Sequence, residues 1–362
     1  MNDHIHHLED LAYMSSHGFN DAKNILNTIA TRILSGNRHD VSLKYDGIAV
    51  FVGVDPADGK FFVSNKAFLN KTPKLYKSLD EIAQSSMKDD LKMRLTRLFN
   101  ELSHVDFFGL IYQGDLMYVT PDLKINNIFD RSLLTFQANT IVYGIPMDTR
   151  PWNEIVYDVL HGQIGVVWHT RYRGKSITEL TSEHGFPMPN MSESIYEINP
   201  NYSISISQRG RGNEDKILSL LESLNRLEIV DIPYIDLLSE SEVKSMLKYH
   251  NSFIRSGVQI DDYEKYYCNY IDYGMDGNKY RPVHSRTLIE GYLLLRELKD
   301  LLLKSFAPDG ITFGTFLKTN DGYIATEHEG YVVGYGQRQL TKLVNRREFS
   351  HANFSGNFIK AW

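Results

Sequence analysis

The most constraining feature of this chain is a short polar turn, residues 44–47, between two runs of strand-forming residues. The turn reads Lys-Tyr-Asp-Gly, with Val-Ser-Leu before it at 41–43 and Ile-Ala-Val-Phe-Val after it at 48–52. Apolar runs rich in β-branched residues on either side of Asp-Gly predict strands joined by a turn. We therefore expect Lys44 at the tip of a β-strand, where it is either solvated or part of a site.

The composition is typical of a soluble globular protein. The chain has 362 residues, of which 42% are hydrophobic and 23% charged, enough for one large domain or two ordinary ones. No apolar run approaches the length of a membrane span, and the polar start is not a signal peptide, so we expect a cytoplasmic protein without a membrane partner. The single cysteine, Cys268, excludes an intrachain disulfide and a cysteine-based zinc cluster.

The net charge of −6 argues against a sequence-blind, high-affinity DNA coat, which would be strongly basic. Basic side chains nevertheless cluster locally, in residues 66–77 and 338–360. Such clusters are either solvated surfaces or phosphate contacts. An enzyme with a local basic groove therefore remains compatible with the charge.

Hydrophobic periodicity divides the chain into three parts. Residues 1–212 contain most of the strand-like runs, together with helices predicted at 20–35 and, from a capping box of Ser78 and Glu81, through Phe99. Residues 213–306 have helical spacing and predict a helical insertion or subdomain, which either is structural or grips a substrate. Residues 307–362 return to strands, with a hairpin turn at 320–322.

A lysine at a strand tip has a specific chemical use if its amine is neutral. Its free pKa is about 10.4, so lowering it to near 7 requires about 4 kcal/mol of differential interaction. Burial and neighbouring positive charge supply such a shift. A phosphorus-containing group bonded to the amine can then be passed to a third molecule, which divides one difficult transfer into two easier ones.

In its ordered motifs the chain resembles the lysine-dependent covalent nucleotidyltransferases, the superfamily of nucleic-acid ligases and capping enzymes, and most closely the phage-type ATP-dependent RNA ligases. Residues 44–47 match the first motif, which implies that Lys44 is the nucleophile and Asp46 a nucleotide contact. Lys66, after the strand-like residues 61–65, resembles the second basic element. Asp115 resembles the central acidic motif as ribose contact and metal ligand, although the family usually has glutamate there.

The remaining motifs of the resemblance lie further along the chain. Trp168 resembles the aromatic residue that stacks on the nucleotide base, with Tyr143 as the alternative. Glu329, in Glu-Gly-Tyr-Val-Val, implies a catalytic ligand of metal and phosphate, and Lys342 implies a catalytic grip on the α-phosphate. The family commonly has a second lysine where this chain has Val344, a role that Arg346 or Arg347 could take over.

The resemblance implies an α+β fold, with a nucleotidyltransferase (ATP-grasp-like ligase) core of antiparallel sheets, flanking helices and a helical insertion. It also implies ATP and Mg²⁺ or Mn²⁺ as cofactors, and an enzyme that seals 5′-phosphate to 3′-hydroxyl ends in nucleic-acid repair. Only 20 residues follow Lys342 (362 − 342), too few for the oligonucleotide-binding barrel of DNA ligases and capping enzymes. RNA ends are therefore more expected than DNA ends, in the host cytoplasm if the protein is phage-encoded.

Two alternatives stay open at the level of sequence. The same lysine would serve a GTP-using capping enzyme or a protein-modifying nucleotidyltransferase. A non-catalytic nucleotide or nucleic-acid binding protein would keep the fold without forming an adduct. The sequence also leaves open the oligomeric state.

Several histidines allow two interpretations. We interpret His4, His6 and His7 as a solvated or flexible terminus rather than a metal site. His169 is either catalytic or a hydrogen-bonded histidine within a strand.

Overall fold

The fold is α+β, with sheets in which antiparallel pairing dominates. It is described by a computed structural model for residues 5–148, 152–184, 191–227, 239–257, 265, 286–311, 313–335, 339–349 and 358–359. None of the helices in these ranges is both long and apolar enough to span a lipid bilayer.

The strands of the described residues are numbered here in chain order. They are β1 (His6–His7), β2 (His39–Leu43), β3 (Ile48–Val54), β4 (Phe61–Asn65), β5 (Ile111–Val119), β6 (Lys124–Ile128), β7 (Arg131–Gln137), β8 (Ile141–Pro146), β9 (Ile164–Arg173), β10 (Thr181–His184), β11 (Ile195–Glu197), β12 (Asn201–Ile206), β13 (Phe306–Pro308), β14 (Gly314–Thr319), β15 (Gly322–Ala325), β16 (Gly330–Tyr335) and β17 (Gln339–Val344).

The helices are numbered in the same way. They are α1 (Gly18–Leu34), α2 (Leu79–Gln84), α3 (Asp89–Leu102), α4 (Trp152–His161), α5 (Glu214–Arg226), α6 (Glu240–Ser256) and α7 (Arg286–Ser305). Short 3₁₀ helices form at Leu8–Tyr13, Lys66–Leu69, Thr120–Asp122, Ile177–Glu179 and Gly210–Asn213.

Three sheets form within the described ranges. The first has the strand order β1-β17-β16-β2-β12-β13, and the second has the order β10-β9-β5-β3-β4, with β11 beside β9. The third has the order β15-β14-β8-β7-β6. Because β2 and β3 are consecutive in the chain but lie in different sheets, residues 44–47 cross from the first sheet to the second.

Helices cover one face of the first sheet. Val41 and Leu43 of β2 are buried in the same hydrophobic cluster as apolar residues of α1, α5 and α7. Ser42 and Lys44 point to the opposite face, since side chains alternate along a strand. The described helices of the segment 213–306 therefore share a core with the sheet that carries Lys44, and α5 and α7 lie behind that sheet.

The strongest local signals of the sequence are confirmed. Helix α1 buries its apolar stripe and is followed by Gly36 at φ 77°. Ser78 caps α2 by accepting a hydrogen bond from the Glu81 amide at 3.2 Å. Strands β14 and β15 form the predicted hairpin around 320–322, and β3 and β4 form another.

The interpretation of the N-terminal histidines as a flexible end is wrong for His6 and His7. These residues form β1, which pairs in parallel with β17 so that His7 lies beside Lys342. The chain then enters a 3₁₀ helix that is buried from Leu8 onward, and this burial holds the strand in place. His4 and Cys268 lie outside the described residues.

A buried network of charges ties this N-terminal segment to α7 and to the residues after β17. The Lys299 ammonium lies 2.7 Å from Glu9, and Arg346 lies 3.3 Å from Glu9 and 2.8 Å from Asp10. Lys299 and Glu9 have no exposed surface. A buried charge is tolerated only when it is paired, so the network requires all of its members together.

We predict that Lys299→Met lowers the free energy of unfolding by about 3–5 kcal/mol, because it leaves a buried carboxylate short of a partner. Urea unfolding measures the loss. The control is Arg226→Ala, which removes an exposed ion pair with Glu222 and is expected to cost less than about 1 kcal/mol. Equal losses in the two variants would contradict a special role for the network.

Stability should also depend on acid through Glu9. Burial alone would raise the pKa of Glu9, but Lys299 and Arg346 outweigh it and lower the pKa from 4.5 to about 2. As the pH falls, the Glu9 carboxylate is therefore protonated in the unfolded chain before it is protonated in the folded protein. Its contribution to the free energy of unfolding is lost as the pH falls from 4.5 towards 2. In urea unfolding, the stability difference between the wild type and Glu9→Gln should shrink over this range. A difference independent of pH would refute the assignment.

Candidate active site

Strand pairing in the first sheet sets the position of Lys44. Val332 of β16 lies opposite both Ser42 of β2 and Lys342 of β17. Beyond the end of β2, the Lys44 amide donates to the carbonyl oxygen of Gly330 at 2.9 Å. Lys44 and Lys342 therefore lie on the same face, with β16 between them.

Lys44 forms an ion pair with the residue just before β16. Its ammonium lies 2.5 Å from a carboxylate oxygen of Glu329, and both side chains are largely buried. Burial alone would lower the pKa of Lys44, but Glu329 and Asp46 outweigh it and the pKa is raised. Burial also raises the pKa of Glu329, against the attraction of Lys44. The proton consequently stays on Lys44 while the pair is intact.

Asp46 is positioned by the third sheet. Its amide donates to the Tyr143 hydroxyl at 3.1 Å, and the side-chain amide of Asn139 donates to its carboxylate at 3.2 Å. Tyr143 is only 1% exposed and its ring stacks on Phe136 at 5.4 Å. Tyr143 was the alternative candidate for the aromatic residue that stacks on a base. Its hydroxyl instead holds the turn through the Asp46 amide, and its buried ring leaves no surface on which a base could stack.

A close backbone approach brings Asp115 to the same turn. A Cβ at Gly47 would lie 2.8 Å from the Asp115 Cβ, so only glycine permits β5 to come this near. Ala49, two residues further along, pairs with Asp115 across β3 and β5. Burial raises the pKa of Asp115 to about 6, although the charge of Lys44 lowers it.

Lys342 completes the group of charges. Burial, followed by the nearby charge of Lys44, lowers its pKa to about 8. Val344 is 1% exposed, and Arg346 is 2% exposed and paired with Glu9 and Asp10. The suggestion that Arg346 replaces a second lysine is therefore wrong, because its guanidinium is bound within the buried network.

The prediction that Trp168 stacks on a base is also wrong. The Trp168 side chain is 1% exposed and packs against Tyr112 in the cluster between the second sheet and α3. Gly114 makes room for it, since a Cβ there would lie 2.6 Å from the indole. The residue of β9 that lies opposite Asp115 is Val167, the neighbour of Trp168.

Lys66 lies apart from the other predicted residues. It is exposed at the end of β4, where it begins the 3₁₀ helix Lys66–Leu69. It does not belong to the cleft lining that includes Lys44, Asp115 and Lys342. The structure thus brings together Lys44, Asp46, Asp115, Glu329 and Lys342 but not Lys66 or the Trp168 ring.

A β-bulge brings His169 to the site, together with Thr170, which the sequence did not indicate. On β9, Trp168 pairs with Gly114 and Thr170 with Gln113, so His169 is an extra residue in the ladder. Its Nε2 lies 3.8 Å from Asp115, and its Nδ1 lies 2.9 Å from the hydroxyl of Thr170. Burial, the neighbouring His184 and Lys44 lower the pKa of His169 to about 4. His169 is therefore a hydrogen-bonded residue of a strand, as one interpretation predicted, and it also lines the cleft.

These groups line a cleft of about 1820 Å³ between the first and second sheets. One wall carries Lys44 and Lys342, and the other carries Asp115 and His169. Among the described residues, no group of three or more acidic, histidine or cysteine side chains is arranged to hold a metal ion. Mg²⁺ commonly binds through one or two carboxylates together with substrate phosphates, so Asp115 and Glu329 fit a metal that arrives with a nucleotide.

Replacing Gly47 tests how closely the two walls must meet. We predict that Gly47→Ala lowers the free energy of unfolding by about 1–3 kcal/mol, because the added methyl group forces β5 away from the turn. Gly212→Ala is the control, since nothing lies within 4 Å of a Cβ at Gly212. Urea unfolding should show no loss for Gly212→Ala, and a similar result for Gly47→Ala would contradict the close approach.

Comparisons with known proteins place the chain in a family without assigning an activity. Neither the search of curated proteins nor that of solved structures found a match. One family model matches residues 2–281 and 275–357, which together cover most of the chain. The chain belongs to this family, which is described as a family of unknown function (DUF6267).

Proposed function

We propose that the protein is an ATP-dependent polynucleotide ligase, most suited to RNA, that acts through a covalent Lys44–AMP intermediate. One observation carries the proposal: Lys44, at a strand tip, is paired with Glu329 at 2.5 Å in a cleft that Lys342 and Asp115 also line. An amine, a carboxylate and a second cation in one partly buried cleft are the groups that nucleotidyl transfer to lysine requires.

The reaction proceeds in three displacements at phosphorus. The Lys44 amine attacks the α-phosphorus of ATP and loses a proton as the P–N bond forms, while the bond to the bridging oxygen breaks and pyrophosphate leaves with its electrons. A 5′-phosphate oxygen then displaces Lys44 to form an adenylylated end. Finally a 3′-hydroxyl attacks the 5′-phosphate, loses its proton and displaces AMP.

The Lys44–Glu329 pair is the resting state of this mechanism. While Glu329 holds the ammonium, the raised pKa of Lys44 prevents attack. A ligand that engages Glu329 removes the largest attraction that raises the pKa of Lys44, and repulsion between Lys44 and the nearby Lys342 then favours the neutral amine. Mg²⁺ or Mn²⁺, held by Glu329 and Asp115 with the nucleotide phosphates, would neutralise the charge of the polyphosphate.

The cleft leaves room for more than one nucleotide. Its volume of about 1820 Å³ exceeds the range of about 300–1,000 Å³ that is usual for small-molecule pockets. Arg171 and Arg173 of β9 line it beyond His169. A cleft of this width, with Arg173 beside the ion pair of Arg171 and Glu183 along one wall, suits a nucleic-acid end better than a small acceptor molecule.

The intact mass of the purified protein after incubation with ATP and Mg²⁺ tests the proposal. We expect a mass gain of one AMP in the wild type and in Lys216→Ala, and no gain in Lys44→Ala. Lys216 is a matched control because it lies on α5, in an exposed ion pair with Glu297. GTP in place of ATP tests the capping-type alternative.

Three outcomes would decide between the candidates. An AMP adduct that needs Lys44 supports the ligase and directs the next assay to 5′-phosphorylated RNA ends. A GMP adduct would replace the ligase with a capping-type enzyme. An absence of adducts, after removal of any nucleotide carried over from expression, would sink the proposal and favour a non-catalytic binding protein.

A further inference from the structure

Two basic segments of the chain meet at one end of the second sheet. Phe68, within residues 66–77, is buried in one hydrophobic cluster with Tyr172 and Leu180. The rings of Phe68 and Tyr172 lie 6.3 Å apart. Residues 66–77 contain four lysines and no acid, and residues 171–180 contain three basic residues and one acid. A shared apolar core therefore holds both groups of positive charge on one surface.

Hydrogen bonds close the loop that carries the lysines of the first segment. The Lys74 amide donates to the carbonyl oxygen of Ala67 at 3.2 Å, and the Ser64 hydroxyl donates to the carbonyl oxygen of Lys74 at 2.5 Å. The side chain of Asn65 accepts from the Ala67 amide at 2.8 Å and so caps the short 3₁₀ helix inside the loop. Together with the buried Phe68 ring, these bonds fix the backbone from which the lysines project.

Several exposed cations on this surface lack an acidic partner. Four of them form no ion pair within the ranges that the structure describes: Lys71, Lys74, Arg173 and Lys175. We call these four residues the basic rim. Lys77 and Arg171, in the same segments, are instead paired with Asp55 at 2.6 Å and with Glu183 at 2.8 Å. Protein surfaces usually intersperse charges of both signs, so four unpaired cations in a chain of net charge −6 form a local field that attracts a polyanion.

The basic rim continues one wall of the cleft. Arg173 lines the cleft, as do Leu69 and Leu180. On β9, Arg173 comes six residues (173 − 167) after Val167, which lies opposite Asp115. Six residues of a strand span about 20 Å. One strand of a nucleic acid carries a phosphate about every 3.4 Å when its bases are stacked, so the rim lies at most about six nucleotides from the acidic end of the cleft.

We propose that the basic rim binds the phosphate backbone of the RNA strand whose end occupies the cleft, within about six nucleotides of that end. Lysine ammonium groups bind phosphates as point charges, so these contacts position the strand without reading its sequence. The rim favours a polynucleotide over an acidic protein because it is continuous with the cleft. The identity of the strand rests on the proposed function, but its binding requires no adduct.

Binding of RNA of two lengths tests the inference. Equilibrium dialysis measures the affinity of Lys44→Ala, which cannot form the adduct, for a 5′-phosphorylated single-stranded 12-mer and for a 5′-phosphorylated dinucleotide. The rim variant combines Lys71→Ala, Lys74→Ala and Lys175→Ala in this background. We expect it to bind the 12-mer at least about tenfold more weakly, with a slope of log K against log salt that is shallower by about 2, since each phosphate contact contributes about 0.7. The dinucleotide is too short to reach the rim, and its affinity should not change.

Two controls separate the rim from a general effect of charge. A variant that combines Lys216→Ala, Arg226→Ala and Lys304→Ala removes the same number of charges from α5 and α7, behind the first sheet, and should bind the 12-mer like its parent. With Lys44 in place, the rim variant should form the AMP adduct at the rate of the wild type, because its three altered lysines lie outside the cleft lining.

Three results would overturn the inference. The first is that the rim variant and the control variant bind the 12-mer with equal affinity and equal salt dependence. The second is that the rim variant binds the 12-mer and the dinucleotide more weakly by the same factor. The third is that the rim variant loses affinity for polyaspartate but not for the 12-mer, which would assign the surface to an acidic protein.

Failure of the ligase proposal is detected separately. A protein that forms no adduct but binds the 12-mer through the rim keeps this inference and loses the ligase. A protein that forms the Lys44 adduct but binds the 12-mer independently of the rim keeps the ligase and loses this inference.

Discussion

The pairing of β2 with β16 is the constraint on which the rest of the site depends. It joins a strand near the start of the sequence to one near its end. The pairing ends at the hydrogen bond from the Lys44 amide to the carbonyl oxygen of Gly330. A shift of one residue in this register would turn Lys44 into the helical core and expose Leu43. The apolar residues of the strand therefore enforce the position of the polar one, since their burial specifies the register.

The charged residues beside the cleft and those buried behind the first sheet have different roles. The pair of Lys44 and Glu329 borders the cleft, and the Lys44 side chain is 27% exposed there. The network of Glu9, Lys299 and Arg346 is closed to solvent and holds β1 and β17 against α7. Burying these charges costs desolvation energy, so the main effect of the network is to fix how β1 and β17 pack against α7. Lys342 lies on β17, so the same packing fixes its position.

Local signals in the sequence predicted the elements that local chemistry determines. No knowledge of distant residues was needed for the turn at 44–47, the Ser78 cap or helix α1. The order of strands in the first sheet could not be predicted, because β1, β17 and β2 meet only in the folded chain. The His169 bulge shifts the alternation along β9, so counting by twos does not reveal which residues face the cleft.

The crossing of residues 44–47 from the first sheet to the second limits how the cleft can move. Four residues span at most about 14 Å, so the two walls are tethered closely at this point. The contact of Gly47 with β5 shortens the tether further. Because this connection lies beside Lys44, any opening of the cleft must be smallest at the amine and larger at the rim farthest from residues 44–47.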